Sequence, residues 1–229
     1  MTRVVACHQP NFLPWLGFFD KLARADVLVL LDDVQFPRSS RGTPMNRVKV
    51  MVGDEPRWLT VPVLREGVQA IREVRTDDAQ PWRRRVLGTI EANYAREPFF
   101  REVMPELREI VEAEAPDLAA YNEWGVRRLA ELIGLDSGRI VRQSELSYDE
   151  ATATDLLISL VRAAGGDTYL SGDGADDYQE PAKYAEAGLH LRFQGFEPPD
   201  YGSPPGLSAV DALMRVGPAR THELLVSRD

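Results

Sequence analysis

The hydrophobic and polar positions of the chain change period several times, and each change marks an element. Residues 3–8 form a short apolar run that predicts a strand. Residues 14–24 place Leu16, Phe19, Leu22 and Ala23 on one face at helical spacing. "ADVLVLLDD" (25–33) is apolar throughout its middle, which predicts a strand covered on both sides, as in a parallel sheet flanked by helices. Strand, helix and strand in about 30 residues predict a βαβ unit. The period then shortens. "NRVKVMV" (46–52) sets Val48, Val50 and Val52 against Arg47, Lys49 and Met51, "GDEP" turns the chain, and "RWLTVPV" (57–63) returns. This predicts a β-hairpin, followed by a short strand over 70–75.

Helical spacing resumes at Trp82, Val86, Ile90 and Tyr94, and further helices are predicted over 97–113 and 117–134. After a strand near 139–142, "SYDEATATDLLISLVRAAGG" predicts a helix stopped by Gly165-Gly166. Then come a strand at "DTYLSG", a short helix in "YQEPAKYAEAG", a strand at "LHLRFQ" and helix from Ser208 onward. The fold class is α/β: a mainly parallel sheet with helices on both faces, a β-hairpin near 46–63 and a helical insertion near 80–134. A single domain over residues 1–229 is expected, with the insertion as part of it or as a subdomain.

Composition narrows the setting. The chain has 229 residues, 44% hydrophobic and 28% charged, which is ordinary for a globular protein with a sizeable core. Its 27 Lys and Arg against 36 Asp and Glu leave a net charge of −9, so no extended nucleic-acid or anionic-membrane surface is expected. Arg83-Arg84-Arg85 is the only basic run and reads as a solvated helix face. The single cysteine, Cys7, excludes an internal disulfide and fits a reducing, cytoplasmic setting. It reads as a packed, inert thiol on the face of the strand opposite His8. No apolar segment is long enough to span a membrane, and the N-terminus does not read as a signal peptide.

Ligands of open α/β sheets bind at the carboxyl ends of the strands, and four polar segments should reach that rim. His8, Gln9 and Asn11 follow the first strand, in a connection stiffened by Pro10 and Pro14 and carrying Trp15 and Gly17. A histidine titrates near neutrality, which suits acid–base work. Asp32 and Asp33 end the second strand and can orient a nucleophile or approach a metal, although no metal site is assigned. "SGDGADD" (171–177) offers Ser171, Gly172, Gly174 and nearby amides as an anion-binding nest, with Asp173, Asp176 and Asp177 favouring a hydroxylated or cationic group instead. Asn46 and Arg47 open the hairpin, and Arg47 can pair with an anion. His222 has no assigned role. No H-E-x-x-H, C-x-x-C, G-x-S-x-G, P-loop or G-x-G-x-x-G pattern is present.

The segments "HQPNFLPWLGFFDKLARADVLVLLDDVQF", "NRVKV", "WLTVPV", "TYLSGDGADDY" and "LSAVDAL" resemble the WbqC-like proteins over nearly the whole chain. The resemblance implies a bacterial protein that tailors activated sugars or small metabolites for surface polysaccharides or natural products. It marks His8, Gln9, Pro10, Asn46, Arg47, Ser171 and Gly172 as motif positions. "PWLGFFDKLARADVLVLLDDVQF" is also similar in layout to the first βαβ unit of HIGH-type nucleotidyl-transferring folds, with Trp15 and Phe18 where histidines would stand around Gly17.

The expected function is therefore a transferase or amide-forming ligase acting on an amino sugar or comparable metabolite by acyl or aminoacyl transfer. His8 would be the base, Asp32 or Asp33 the orienting carboxylate, and Arg47 with the Ser171–Gly172 amides the anion holder. The alternatives are a non-catalytic binding subunit, a glycosyltransferase and a nucleotidyl-transferase-like enzyme. No cofactor is assigned. The partner is a small-molecule substrate, and assembly into a homo-oligomer stays open.

Overall fold

The computed structural model describes residues 2–38, 43–173 and 179–227. Its centre is a parallel sheet of five strands: β1 (Val4–His8), β2 (Val27–Leu30), β7 (Ile140–Arg142), β8 (Thr168–Ser171) and β9 (His190–Phe193), in the spatial order β7-β2-β1-β8-β9. All four residues of β2 are buried, as its unbroken apolar sequence requires for a strand with helices on both sides. Side-chain alternation divides the sheet between two cores. Ala6, Leu28, Leu30 and Leu170 face the larger one. Val5, Cys7, Val27, Val29 and Tyr169 face the smaller one.

The larger core holds α1 (Leu16–Arg24) and the start of α7 (Ala209–Val226), a helix kinked at Gly217. It continues without interruption into α2 (Trp82–Tyr94), α3 (Phe100–Glu112) and α4 (Leu118–Ile133), the helices predicted near 80–134. Beneath the smaller core lie α5 (Ala153–Ala163) and α6 (Pro181–Glu186). The hairpin pairs β3 (Arg47–Val52) antiparallel with β4 (Glu55–Thr60), Lys49 opposite Trp58. Among the described residues, no helix is long and apolar enough to cross a membrane.

Two segments depart from the expected pattern. The strand expected over 70–75 is a 3-10 turn at Ile71–Glu73, and only β6 (Arg75–Thr76) pairs, with β5 (Val63–Leu64). The hairpin's return strand also breaks at Pro62, which has no N–H to donate, and Val63–Leu64 pair instead with β6. The helix expected from "SYDEATATDLL" begins only at Ala153. Its Ser-, Asp- and Thr-rich start prefers local turns and caps to helix.

Strand order reverses between β1 and β8. The chain runs from β1 outward to β2 and β7, then crosses to β8 and continues outward to β9. The carboxyl ends of β1 and β8 therefore flank the topological switch point, where neighbouring loops leave in opposite directions and open a crevice.

Candidate functional site

A cavity of about 540 Å³ lies at that crevice. The end of β1 supplies Cys7, His8 and Gln9, and the end of β8 supplies Gly172 and Asp173. Trp15, Gly17 and Lys21 of the α1 region, Tyr169, and Gln194 and Phe196 beyond β9 complete most of the wall. This mixture of aromatic surface and few polar groups is that of a small-molecule site.

The connection from β1 to α1 is held from several sides. Asn122 of α4 donates from Nδ2 to the carbonyls of Pro10 (2.9 Å) and Met45 (2.7 Å). Leu13 takes φ +41, an uncommon backbone for a leucine, and its carbonyl accepts from Ser208 Oγ at 2.7 Å. The Pro14 carbonyl accepts from Ala209 N at 2.8 Å, and Trp15 pairs as an antiparallel bridge with Ser208. The two prolines and the capped start of α7 thus fix where His8 and Trp15 stand. A side chain at Gly17 would overlap Trp15 Nε1 and come within 2.9 Å of Phe196, so glycine there lets both rings close on the helix start.

His8 is half-buried, with its ring edge-on to Trp15 (5.7 Å between centroids) and Phe18 (4.8 Å). Its Nδ1 lies 2.9 Å from the Gln9 carbonyl, which only accepts, so Nδ1 carries the proton and Nε2 the lone pair. Burial, reinforced by the nearby Lys21 charge, pushes the ring's pKa down to about 3 and keeps it neutral at physiological pH. Cys7 points to the other core, as alternation along β1 predicts, and burial pushes its thiol up to about 12.

Lys21 was not a sequence candidate. It is 5% exposed, lines the cavity, and its Nζ has no hydrogen-bond partner among the described residues. Burial lowers its pKa to about 8, against the opposing influence of Cys7, Asp173 and Asp20. Room for the ammonium depends on Gly172: a methyl there would stand 2.9 Å from Nζ. Asp20, also buried, accepts from Gln194 Nε2 at 2.7 Å, and the same amide donates to the Gly17 carbonyl at 2.7 Å. Asp173 accepts from the amides of Gly195 (2.6 Å) and Phe196 (2.7 Å), folding the segment after β9 over the site. By its period α1 reads as one-sided and gives Lys21 no sequence signal; only the structure shows that every residue from Leu16 to Leu22 is buried. A charged residue in such a stretch needs a partner or a function.

Of the residues singled out in the sequence, His8, Gln9, Trp15, Gly17, Gly172 and Asp173 meet at the cavity. Ser171 is fully buried in β8 beside it, its Oγ 3.4 Å from the Gly172 carbonyl. Gly174, Asp176 and Asp177 lie outside the described residues. The others do not line the cavity. Asn11 is buried, and its amide has no hydrogen-bond partner among the described residues. Asn46 braces the hairpin, accepting from Thr43 N (2.8 Å) and donating to the Val61 carbonyl (3.0 Å). Arg47 lies 4.0 Å over the Trp58 ring on the hairpin. Asp32 accepts from Ser144 N (3.0 Å) and Oγ (2.6 Å), while Asp33 pairs with Arg72 at 2.6 Å. The two carboxylates thus turn to different partners beyond the end of β2. No group of three His, Cys, Asp or Glu side chains among the described residues is placed to hold a metal ion.

The sequence model of the WbqC-like protein family matches residues 9–223. The uncharacterized protein Rv1507c of Mycobacterium tuberculosis (strain ATCC 25618 / H37Rv) is 27% identical over 226 residues, covering 94% of each chain. No solved structure matches.

Proposed function

Because the chain belongs to the WbqC-like protein family, we propose that it is a bacterial tailoring enzyme that transfers an acyl or aminoacyl group to an amino sugar or comparable small metabolite in surface-polysaccharide or natural-product biosynthesis. One observation carries this reading: a neutral imidazole and a buried ammonium with no hydrogen-bond partner among the described residues share one cavity at the switch point of the sheet. Burial lowers both pKa values, but it leaves that of Lys21 near 8, so at neutral pH the imidazole is free to accept a proton while the amine is still mostly protonated.

In this reading the acceptor's amine or hydroxyl attacks the acyl carbon of the donor. The attacking atom becomes strongly acidic as its new bond forms, and His8 Nε2 takes the proton at that stage despite its low basicity. Negative charge collects on the acyl oxygen, where the Lys21 ammonium stabilises it in a site sheltered from water. Collapse of the tetrahedral species expels the leaving group, which recovers the proton from His8. Trp15 and Phe196 suit the face of a sugar ring or an apolar acyl chain, and Gln9 suits a hydroxyl or amide of the ligand. Lys21 thereby takes the role that the sequence suggested for Arg47.

The test is turnover with a panel of acyl and aminoacyl donors and amino-sugar acceptors, after thermal-shift screening for ligands that bind the native state. His8→Ala and Lys21→Met should each retain the fold and lower kcat about 100-fold or more. Unchanged turnover in either variant contradicts the assignment. Ligand binding that needs Lys21 but yields no product with any donor would favour the binding-subunit reading.

A further inference from the structure

A second surface carries chemistry that the cavity does not use. On the outer face of the hairpin Trp58 is 49% exposed. The Arg47 guanidinium lies 4.0 Å, and the Lys49 ammonium 5.2 Å, from its ring centroid. A cleft of about 320 Å³ runs from Trp58 and Thr60 on β4 to Gln80 and Arg85 beside and on α2. An adjoining groove of about 690 Å³ shares Arg85 and Thr89 and continues past Arg84 to Asn93. No Asp or Glu lines either depression among the described residues, in a chain of net charge −9.

The neighbouring arginines emphasise the difference. Arg83 is neutralised by Asp78 at 2.7 Å and Arg57 by Glu55 at 2.6 Å. Arg84 and Arg85 are exposed and have no carboxylate partner among the described residues, Arg85 bonding only to the neutral amide of Gln80 at 3.1 Å. A half-exposed indole with the Arg47 guanidinium over its ring, continuous with a groove bearing two guanidinium groups that have no carboxylate partner among the described residues, combines a cationic stacking platform with a phosphate track.

We infer that the cleft between β4 and α2 binds single-stranded nucleic acid, with a base stacked on Trp58 and the backbone phosphates held by Arg84 and Arg85. The flat ring favours a nucleobase over an acidic peptide, which would use the charges but leave the indole unstacked. The surface is local, so it is consistent with the acidic composition of the whole chain. The inference does not depend on the acyl-transfer reading.

Fluorescence anisotropy of labelled single strands of about 12 nucleotides at low salt tests it, with oligo(U) RNA and oligo(dT) DNA in separate arms to tell which sugar is preferred. Trp58→Ala should weaken binding about tenfold and Trp58→Phe should restore most of the loss. The Arg84→Gln/Arg85→Gln double variant should reduce the slope of log affinity against log salt by about 1.4, for two lost phosphate contacts. These two positions are exposed, so that variant carries the test even if Trp58→Ala does not fold. No binding by the wild-type chain overturns the inference. So does a salt slope unchanged in the double variant, or polyglutamate competing as well as the oligonucleotide through the same residues.

Discussion

At the scale of single residues, the site rests on how burial treats two titratable groups. The His8 ring titrates near 6.5 in the unfolded chain and about 3 in the folded one. Between these values the unfolded chain binds the extra proton, so the contribution is complete above pH 6.5 and is lost as pH falls toward 3. His8→Gln removes the effect. Urea unfolding should show the wild type losing about 2–3 kcal/mol more than the variant between pH 7 and pH 4.5. Lys21 behaves differently because its folded form resists the charge. Its pKa falls from 10.5 to about 8, so the penalty is complete below pH 8 and disappears as pH rises through 10.5. Lys21→Met should therefore stabilise the protein at pH 7 by up to about 3 kcal/mol, while lowering kcat about 100-fold, and the stability gain should vanish above pH 10.5. Unfolding curves at pH 7 and pH 11 check both parts.

At the scale of elements, the β1–α1 connection shows what could be read in advance. Alternation placed Cys7 and His8 on opposite faces, and the apolar run of β2 announced a strand covered on both sides. The end of β1 and the segment after β8 were legible as rim positions because strand ends follow from hydrophobic periodicity. Asp32, Asn46 and Arg47 were less legible. Each is polar and stands at an element end, which is also where side chains serve turns and braces, and Ser144, Val61 and Trp58 are their local partners. Lys21 was hidden because α1 reads as one-sided by its period, whereas the structure buries it all round. Ser208 was legible as a helix start but not as a brace for Leu13. Its Oγ caps α7 at Val210 N (3.2 Å) and donates to the Leu13 carbonyl. Ser208→Ala should lower stability by about 1–3 kcal/mol in denaturant titrations, by removing the cap and leaving that carbonyl unsatisfied.

At the scale of the whole molecule, the hairpin, the helices from Trp82 to Ile133 and the sheet share one large core. Tyr94 joins three of these parts: its Oη accepts from Met51 N (2.9 Å) on β3 and donates to Asp211 Oδ1 (2.7 Å) on α7. Tyr94→Phe leaves the buried Met51 N–H without its partner and removes one of the donors to Asp211, which keeps Arg215, and should lower stability by about 1–3 kcal/mol, with a single cooperative unfolding transition retained. That rigid frame sets the walls of the cavity, and the central claim is that His8 and Lys21 are both held there in a shared low-polarity space. The chain's histidines are His8, His190 and His222, and its lysines are Lys21, Lys49 and Lys183. Their resonances can therefore be followed individually by NMR in a selectively labelled sample. The account predicts that the His8 ring stays neutral until the protein approaches acid unfolding, with Nδ1 protonated, and that Lys21 titrates near 8. A His8 resonance titrating near 6.5 together with a Lys21 resonance titrating near 10.5 would contradict it.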